Sequence, residues 1–315
     1  MLPFATVKAE QLQPYAGLVE WTGVRRLWQG QSLTIEPHQA FSYLAGNGTR
    51  IPLGLGVTLM PLRHPFEAAV QAASLARITG QQLTIGYGPG SRNFQSTLLT
   101  EPYPSPLTAS REYIGIVKGL LAGGIVETDG EYFSCHGRLV TGPTPRIEVA
   151  LGVLRPKMAA LAGEIADAAI TWLTPATYVR DAVLPAIQSG AAARGVQPRL
   201  VSMVPVALSR PGRVPAEVAL ASNEAHLRAP HYLDMLAKAG VAVTRDHCPL
   251  EAAKAVVDAG AFLSGNLDQL LTGFKEYEAA GVDELVLNLT GVYLKFGPAK
   301  ALADLKLLLK AVGVL

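Results

Sequence analysis

The sequence predicts a (β/α)₈ barrel, in which a parallel sheet closes on itself inside a ring of helices. Apolar runs of strand length alternate with amphipathic helical segments along the chain. These runs are continuously apolar, as expected of parallel strands that are covered on both faces. The composition shows no break along the 315 residues, so one barrel domain over residues 1–315 is expected, although an open doubly wound sheet fits the same periodicity.

Each predicted strand is an apolar run bounded by glycine, proline or polar residues. The third strand contains Gly54 and Gly56 but is otherwise compatible with extended structure, and the fourth runs into a glycine-rich loop at 86–90. Eight strands are expected, at 2–7, 26–30, 52–59, 83–87, 147–154, 168–173, 200–208 and 284–289.

The helix after the third strand is the most clearly indicated. Apolar residues recur at helical spacing over 65–79, Pro65 suits a first turn, and Gly80 ends the pattern. The barrel helices are expected at 11–22, 35–45, 65–79, 110–122, 157–166, 178–193, 267–280 and 299–312.

Two segments depart from simple strand–helix alternation. Residues 127–135 indicate a small hairpin with Asp129-Gly130 as its turn. Residues 214–260 are mostly helical and exceed one barrel helix in length. The sequence therefore predicts a helical insertion near the C-terminal third of the chain.

Composition and charge exclude several classes of function. The net charge is +2 without a basic stripe, which gives no reason to expect nucleic acid or an anionic membrane as a partner. No signal peptide and no apolar run of spanning length are seen. Cys135 and Cys248 form no C-x-x-C pair, so two free thiols in a reducing cytoplasm are expected.

Common catalytic motifs are missing from the sequence. The Gly86-x-Gly88-x-x-Ser91 segment lacks the third glycine of a dinucleotide-binding motif, and there is no P-loop, G-x-S-x-G or H-E-x-x-H pattern. The histidines are too scattered to indicate a metal site, so no metal is expected.

The predicted ligand site is the mouth formed by the carboxyl ends of the strands. Bulky apolar side chains there are expected to flank a flat ring, glycines to let it approach the backbone, and Thr58 to bond its polar edge. The alternative is that the glycines only relieve crowding at tight turns. The residues expected at the mouth are Trp28, Gln29, Gly56, Val57, Thr58, Gly88, Gly152, Val153, Leu154 and Trp172.

Charged groups near the mouth complete the candidate site. Arg155 and Lys157 begin the helix after the fifth strand, and a helix N-terminus with two cations favours a phosphate group; a solvated pair of surface charges is the alternative. His38 follows the second strand and is a candidate proton donor, because imidazole titrates near neutrality.

Several longer segments resemble the luciferase-like monooxygenase superfamily. They are residues 56–65 (GVTLMPLRHP) and 83–90 (LTIGYGPG). Residues 151–158 (LGVLRPKM), 161–167 and 172–175 resemble its F420-dependent branch. The likeness in motifs covers roughly residues 1–180, and the rest of the pattern fits the same barrel.

The resemblance implies a homodimeric barrel with a flavin or deazaflavin ring in the mouth. The ring would lie against the end of the third strand, near Gly56-Val57-Thr58, where this family often carries a non-proline cis peptide bond. The family's phosphate-binding segment corresponds to residues 152–157. The cofactor implied is reduced coenzyme F420, with FMN as the alternative.

One departure from the family bears on the reaction. Alcohol-oxidising members carry an acidic–histidine pair after the second strand, where this chain has Trp28-Gln29-Gly30-Gln31. That departure favours reduction of an activated double bond over alcohol oxidation.

Residues 15–19 and 28–32 also resemble reductases of lanthipeptide biosynthesis, which reduce dehydroamino acids in a peptide. His38 and Tyr87 are then the candidate acids, with ring packing or a surface loop as alternatives. The rival functions are an FMN-dependent monooxygenase acting on a small organic substrate and a flavin-binding barrel without catalysis.

Overall fold

Parallel strands form the wall of the molecule, which is described from a computed structural model covering residues 1–140, 142–244 and 246–315. Within these ranges one parallel sheet has the order β1-β2-β3-β6-β7-β8-β10, with β9 beside the end of β8, and β4 and β5 form a separate antiparallel hairpin. The strands are β1 (Leu27–Gln29), β2 (Leu53–Leu59), β3 (Leu83–Gly88), β4 (Val126–Asp129), β5 (Ser134–Gly137), β6 (Ile147–Gly152), β7 (Ala168–Trp172), β8 (Arg199–Leu208), β9 (Leu263–Gly265) and β10 (Glu284–Asn288).

Helices connect the strands and cover the outside of the sheet. Proline occupies the first turn of most of them, where its missing N–H has no intrahelical partner to lose. No helix in the described ranges is both long and apolar enough to cross a bilayer. The helices are α1 (Gln13–Glu20), α2 (Pro37–Gly46), α3 (Pro65–Thr79), α4 (Arg92–Gln95), α5 (Pro106–Leu121), α6 (Pro156–Ile165), α7 (Ala176–Tyr178), α8 (Leu184–Ala191), α9 (Pro215–Leu227), α10 (Pro230–Lys238), α11 (Pro249–Asp258), α12 (Leu267–Ala279), α13 (Thr290–Phe296) and α14 (Pro298–Ala311).

The predicted barrel and its helical insertion are confirmed. The insertion consists of α9, α10 and α11, which lie between β8 and β9 in the chain. The hairpin predicted at 127–135 forms as β4 and β5. Helix α3 has the predicted bounds, and Gly80 ends it in the left-handed region with φ of 64°.

The strand predicted at 2–7 is wrong, because that segment is irregular. The amide of Leu2 nevertheless donates to the carbonyl of Trp28 (2.8 Å), and the nitrogen of Met1 lies 2.9 Å from the carbonyl of Leu287. The segment therefore borders both β1 and β10 without becoming a regular strand. The short strand β9 was not predicted, since three residues carry too little pattern to identify it.

Two apolar clusters stabilise the barrel. The larger lies between the sheet and the helices. The smaller joins buried side chains from β1, β6, β7, β8 and β10, and side chains from five strands meet only inside the barrel. Alternate residues of a strand face opposite sides, so the inner and outer faces of every strand can be assigned from these two clusters.

Charged residues close the amino end of the barrel. Arg199 is 2.6 Å from Glu148 and 2.8 Å from Glu284, and Arg26 Nε is 3.3 Å from Glu284. Because these ions pair at the amino ends of the strands, the carboxyl ends remain for binding.

Candidate functional site

The carboxyl ends of the strands are more open than the rest of the sheet. Burial changes from complete to partial at Gly56 and Val57 of β2, at Gly152 of β6 and at Trp172 of β7. These positions belong to neighbouring or near-neighbouring strands. They are the positions where the ligand mouth is predicted.

Val57 lies at the predicted mouth, close to glycines of β3 and β6. A Cβ atom built on Gly88 or Gly152 would lie 3.1 Å from a methyl group of Val57, and one built on Gly86 would lie 2.9 Å from it. These glycines accommodate the Val57 side chain. The glycines therefore make room for a protein side chain and not for a ligand. The Val57 side chain is the surface that remains for a ligand.

The peptide bond between Gly56 and Val57 is cis, as the family resemblance implied. The pairing of β2 with β3 changes register between Leu55 and Thr58. Thr58 is buried, and its hydroxyl donates to the carbonyl of Gly86 at 3.1 Å. That bond ties the irregular end of β2 to β3 and occupies the hydroxyl that was expected to bond a ring.

A carboxylate, an imidazole and a guanidinium meet at the rim between β1 and β2. Glu36 Oε1 is 2.7 Å from His38 Nδ1 and 3.3 Å from Arg63 Nη2. Gln31 joins this group to β2, because its backbone nitrogen donates to the carbonyl of Val57 (3.2 Å) and its side-chain oxygen is 3.5 Å from Arg63. His38 Nε2 and Arg63 Nη1 are buried without a hydrogen-bond partner among the described residues.

The protonation of this cluster follows from its contacts. Burial by itself raises the pKa of Glu36, but the hydrogen bond from His38 and the charges of His38 and Arg63 outweigh it, so the pKa lies below its usual value. An ionised carboxylate only accepts hydrogen bonds. His38 Nδ1 therefore carries the hydrogen that Glu36 accepts, and Nε2 is the ring nitrogen left without a partner among the described residues.

Glu36 and Arg63 were missed by the sequence analysis. An acidic–histidine pair does form after Trp28-Gln29-Gly30-Gln31, from Glu36 and His38. The sequence argument against alcohol oxidation, which rested on the absence of such a pair, therefore no longer holds. Glu36 is also the N-cap of α2 and accepts from the amide of His38. An acidic residue directly before Pro37 is an N-cap signal that the sequence offered.

The predicted phosphate segment begins helix α6. Arg155 is its N-cap, Lys157 is exposed in the first turn, and the helix has no side-chain N-cap bond. Arg155 Nη1 is 3.2 Å from Asp234 Oδ2 of α10, which also accepts from Lys238 at 2.7 Å. The insertion thus reaches over this helix N-terminus, and one predicted cation is already paired.

Aromatic and histidine side chains bind the insertion to β7. The Trp172 ring is centred 5.7 Å from that of His226 in α9, and His226 meets the edge of Tyr232 in α10 at 4.9 Å. Trp172 Nε1, His226 Nδ1 and the Tyr178 hydroxyl are buried without partners in the described residues. Trp172 was predicted at the mouth. The sequence contained no pattern that would have placed His226, Tyr178 or Tyr232 beside it.

Trp28 and Gln29 lie away from the mouth. The indole of Trp28 is 2% exposed, and its nitrogen donates to Glu284 Oε1 (2.7 Å) at the amino end of the barrel. A buried indole N–H requires an acceptor, and Gly54 leaves space for the ring. Gln29 faces the outer layer and donates to Thr6. Trp28 is therefore a core residue, a correction to the predicted ring wall.

Tyr87 also lies outside the mouth. It is fully buried beside Tyr113, and its hydroxyl donates to the carbonyl of Ala68 at 3.3 Å. Burial raises the pKa of this hydroxyl above its ordinary value. Successive residues of a strand face opposite sides, and in β3 the glycines face inward while Tyr87 faces outward. The prediction of Tyr87 as a proton donor at the mouth is therefore corrected: it is a core residue.

The remaining predicted residues follow β6. Val153 is buried, and its amide donates to the carbonyl of Ile170 (2.8 Å), while Leu154 is half-buried before Arg155. Directly after Trp172, Leu173 has φ of 54°, a left-handed conformation uncommon for a residue other than glycine. Of Val153 and Leu154, only the half-buried Leu154 has side-chain surface available to a ligand.

The site fits a flat ring with an anionic tail. Val57 and Trp172 supply apolar surface, the N-terminus of α6 with Lys157 suits a phosphate, and the unpaired nitrogen of His38 suits a polar edge or a substrate. These side chains agree with the flavin or deazaflavin that the family resemblance implied.

Three comparisons relate this chain to known proteins. The family model of the luciferase-like monooxygenases matches residues 5–284. A 5,10-methylenetetrahydromethanopterin reductase of Methanolobus tindarius is 30% identical over 193 residues, 60% of this chain and 58% of the relative. A 4-hydroxyprotoasukamycin monooxygenase of Streptomyces nodosus subsp. asukaensis is 30% identical over 172 residues, 50% and 46% of the two chains. This chain thus matches about half the length of these relatives.

A solved structure shows the same fold over nearly the whole chain. It is an F420-dependent secondary alcohol dehydrogenase in complex with an F420–acetone adduct, with a TM-score of 0.73 at 16% identity. The match covers 96% of this chain and 94% of the other.

Proposed function

The chain belongs to the luciferase-like monooxygenase family, and on that premise we propose that it is an F420H2-dependent oxidoreductase. In this proposal a hydride passes from the reduced deazaflavin to an activated double bond. The observation that carries the proposal is the Glu36–His38 pair, whose Nε2 is buried without a partner among the described residues; in this proposal that nitrogen faces the mouth beside Val57.

The chain's residues provide a place for each part of the cofactor. Val57, Leu154 and Trp172 would contact the ring, and the N-terminus of α6 with Arg155 and Lys157 would hold the phosphate. When bound, reduced F420 supplies the hydride.

His38 completes the reaction by giving a proton to the carbon next to the one that receives the hydride. Glu36 accepts from Nδ1–H at 2.7 Å, which orients the ring and leaves Nε2 for the substrate. Protonated His38 therefore donates from Nε2. The same pair can accept a proton from an alcohol, so it serves hydride transfer in either direction.

The substrate in this proposal carries an electron-poor double bond, such as that of a dehydroalanine-type residue in a peptide. The likeness of residues 15–19 and 28–32 to lanthipeptide reductases supports it.

An FMN-dependent monooxygenase is the second candidate. It is favoured by the likeness to the 4-hydroxyprotoasukamycin monooxygenase and to a limonene 1,2-monooxygenase of Rhodococcus erythropolis, 26% identical over 150 residues. Such an enzyme would have to bind reduced flavin and react with oxygen.

A cofactor panel separates the two candidates. Purified protein is titrated with F420, reduced F420 and FMN, each followed by the cofactor's absorbance or fluorescence. We expect saturable binding of both forms of F420 and much weaker binding of FMN. Tight FMN binding together with oxygen consumption would replace the first proposal by the second. Binding of neither cofactor would refute both.

A further inference from the structure

The helical insertion brings uncharged polar atoms to one side of the mouth. Trp172 Nε1, the Tyr178 hydroxyl and His226 Nδ1 are all buried and have no hydrogen-bond partner in the part of the chain that the structure describes. Buried polar groups in native proteins are nearly always paired with protein, water or a ligand. These atoms therefore require an explanation that packing alone does not provide.

Trp172 and His226 lie against each other between β7 and the insertion, and Tyr178 follows β7 in the chain. The rings of Trp172 and His226 are centred 5.7 Å apart at an interplanar angle of 52°, without a hydrogen bond between them. Tyr178 ends the short helix α7 after β7, and burial, followed by the charge of Asp234, raises the pKa of its hydroxyl while the charge of Arg155 lowers it. A ligand between β7, α6 and α10 would thus be within reach of all three side chains.

The region holds an uncharged imidazole beside charges that are already paired with one another. Burial, followed by the charge of His231, lowers the pKa of His226 to about 4, so this imidazole is uncharged near neutral pH. Arg155 and Asp234 pair with each other at 3.2 Å. A charged ligand group would have to compete with the ion pairs of Asp234 with Arg155 and Lys238, whereas an uncharged group leaves those pairs intact.

We propose that Trp172, Tyr178 and His226 form a recognition site for an uncharged amide or carbonyl group of the substrate. The indole N–H only donates and suits the oxygen, while the hydroxyl and the neutral imidazole each have a donor and an acceptor. An amide offers one group of each kind. The assignment to a substrate rests on the proposed function, since the site adjoins the proposed cofactor mouth, but amide binding itself requires no cofactor.

The test follows the indole N–H signals of the ¹⁵N-labelled protein by NMR. The chain has three tryptophans, and Trp172→Phe identifies the signal of Trp172. Exposed Trp21 and core Trp28 provide internal references. The probes are N-acetylglycine methylamide, N-acetylglycine and glycine methylamide, which share a backbone but are neutral, anionic and cationic.

We expect the neutral probe to shift the Trp172 signal saturably and the charged probes to bind at least tenfold more weakly. Tyr178→Phe and His226→Gln each remove one partner, so each should raise the dissociation constant about fivefold. His136→Gln is the matched control, because His136 is exposed on β5 and bonded to Asp129, and it should leave the constant unchanged.

Several results would overturn the assignment. Equal binding of the anionic probe, equal shifts of Trp21 and Trp172, or no saturable shift with the neutral probe would each exclude an amide site. An unchanged dissociation constant in both Tyr178→Phe and His226→Gln would do the same, and the two variants guard against one failing to fold. Protein that binds the neutral probe but no F420 would refute the proposed function and leave the amide site standing.

Discussion

Arg155 at the N-terminus of α6 pairs with Asp234 of α10, with Nη1 and Oδ2 3.2 Å apart. The pair links the proposed phosphate segment to the helical insertion. Both side chains are substantially exposed, so the pair adds little stability. Its importance is that a carboxylate competes with a phosphate for the same guanidinium.

Asp234→Asn should strengthen binding of F420. The substitution removes a negative charge beside the phosphate segment and releases Arg155 from its partner. We expect the dissociation constant to fall several-fold, on the scale of an exposed ion pair worth about 0.2–1 kcal/mol. The matched ligand is the same deazaflavin without its phosphate tail, whose affinity should not change. If the affinity for both ligands rose equally, the effect of the substitution would not act through the phosphate.

Gly152→Ala should weaken cofactor binding through Val57. The new Cβ would lie 3.1 Å from Val57 Cγ1, so the valine must shift by a few tenths of an ångström, and we expect this shift to alter the surface that contacts the ring. A displaced side chain of this kind corresponds to about 1–3 kcal/mol, or roughly a tenfold or greater rise in the dissociation constant. Adding Val57→Ala restores the space, and the double variant should recover part of the affinity. Failure of this rescue would show that Val57 does not transmit the change.

His38→Gln should abolish turnover while leaving cofactor binding within a few-fold. Loss of a positioned acid lowers the rate by about 10²–10⁴. Glu36→Gln keeps the imidazole but loses the carboxylate at 2.7 Å, so it should reduce turnover less and change its pH profile. Rapid-mixing measurements of F420H2 oxidation provide the rates. Full activity of His38→Gln would exclude His38 as the acid.

Tyr87→Phe should leave turnover unchanged. The hydroxyl bonds only the carbonyl of Ala68, at 3.3 Å, on the side of β3 away from the mouth. Its removal should lower the free energy of unfolding by about 0.5–1.5 kcal/mol, measured by urea denaturation. A large loss of activity without loss of stability would contradict the placement of Tyr87 in the core.

Stability should decrease on acidification below neutrality because of His226. Its pKa is 6.5 in an exposed setting but about 4 in the fold, owing to burial and to His231. Between these values the unfolded chain binds more protons, so the free energy of unfolding falls as pH falls from 6.5 to 4. The expected loss is on the order of 2–3 kcal/mol.

Urea denaturation at a series of pH values measures this dependence. His226→Phe should flatten the profile between pH 6.5 and 4 because no proton can then be taken up at that position. His136→Phe, at an exposed site, should keep the wild-type profile. Identical slopes in all three proteins would show that His226 is not buried in its neutral form.

The sequence by itself determined the parallel barrel and the helical insertion, and it predicted the end of the sheet at which the site is proposed. These features are local or periodic: apolar runs mark strands, helical spacing marks helices, and glycines mark crowded strand ends. The cis peptide bond between Gly56 and Val57 was expected from resemblance to a family, and periodicity alone contained no sign of it.

Only the tertiary structure decided which predicted residues face the mouth. Trp28 and Tyr87 lie in a strand or at its end, as expected, but one is held at the amino end by Glu284 and the other points outward. Strand alternation shows that neighbours face opposite sides, but it does not say which side is inside until the barrel closes. Contacts between distant segments, such as Trp172 with His226, depend on that closure and leave no pattern in the chain.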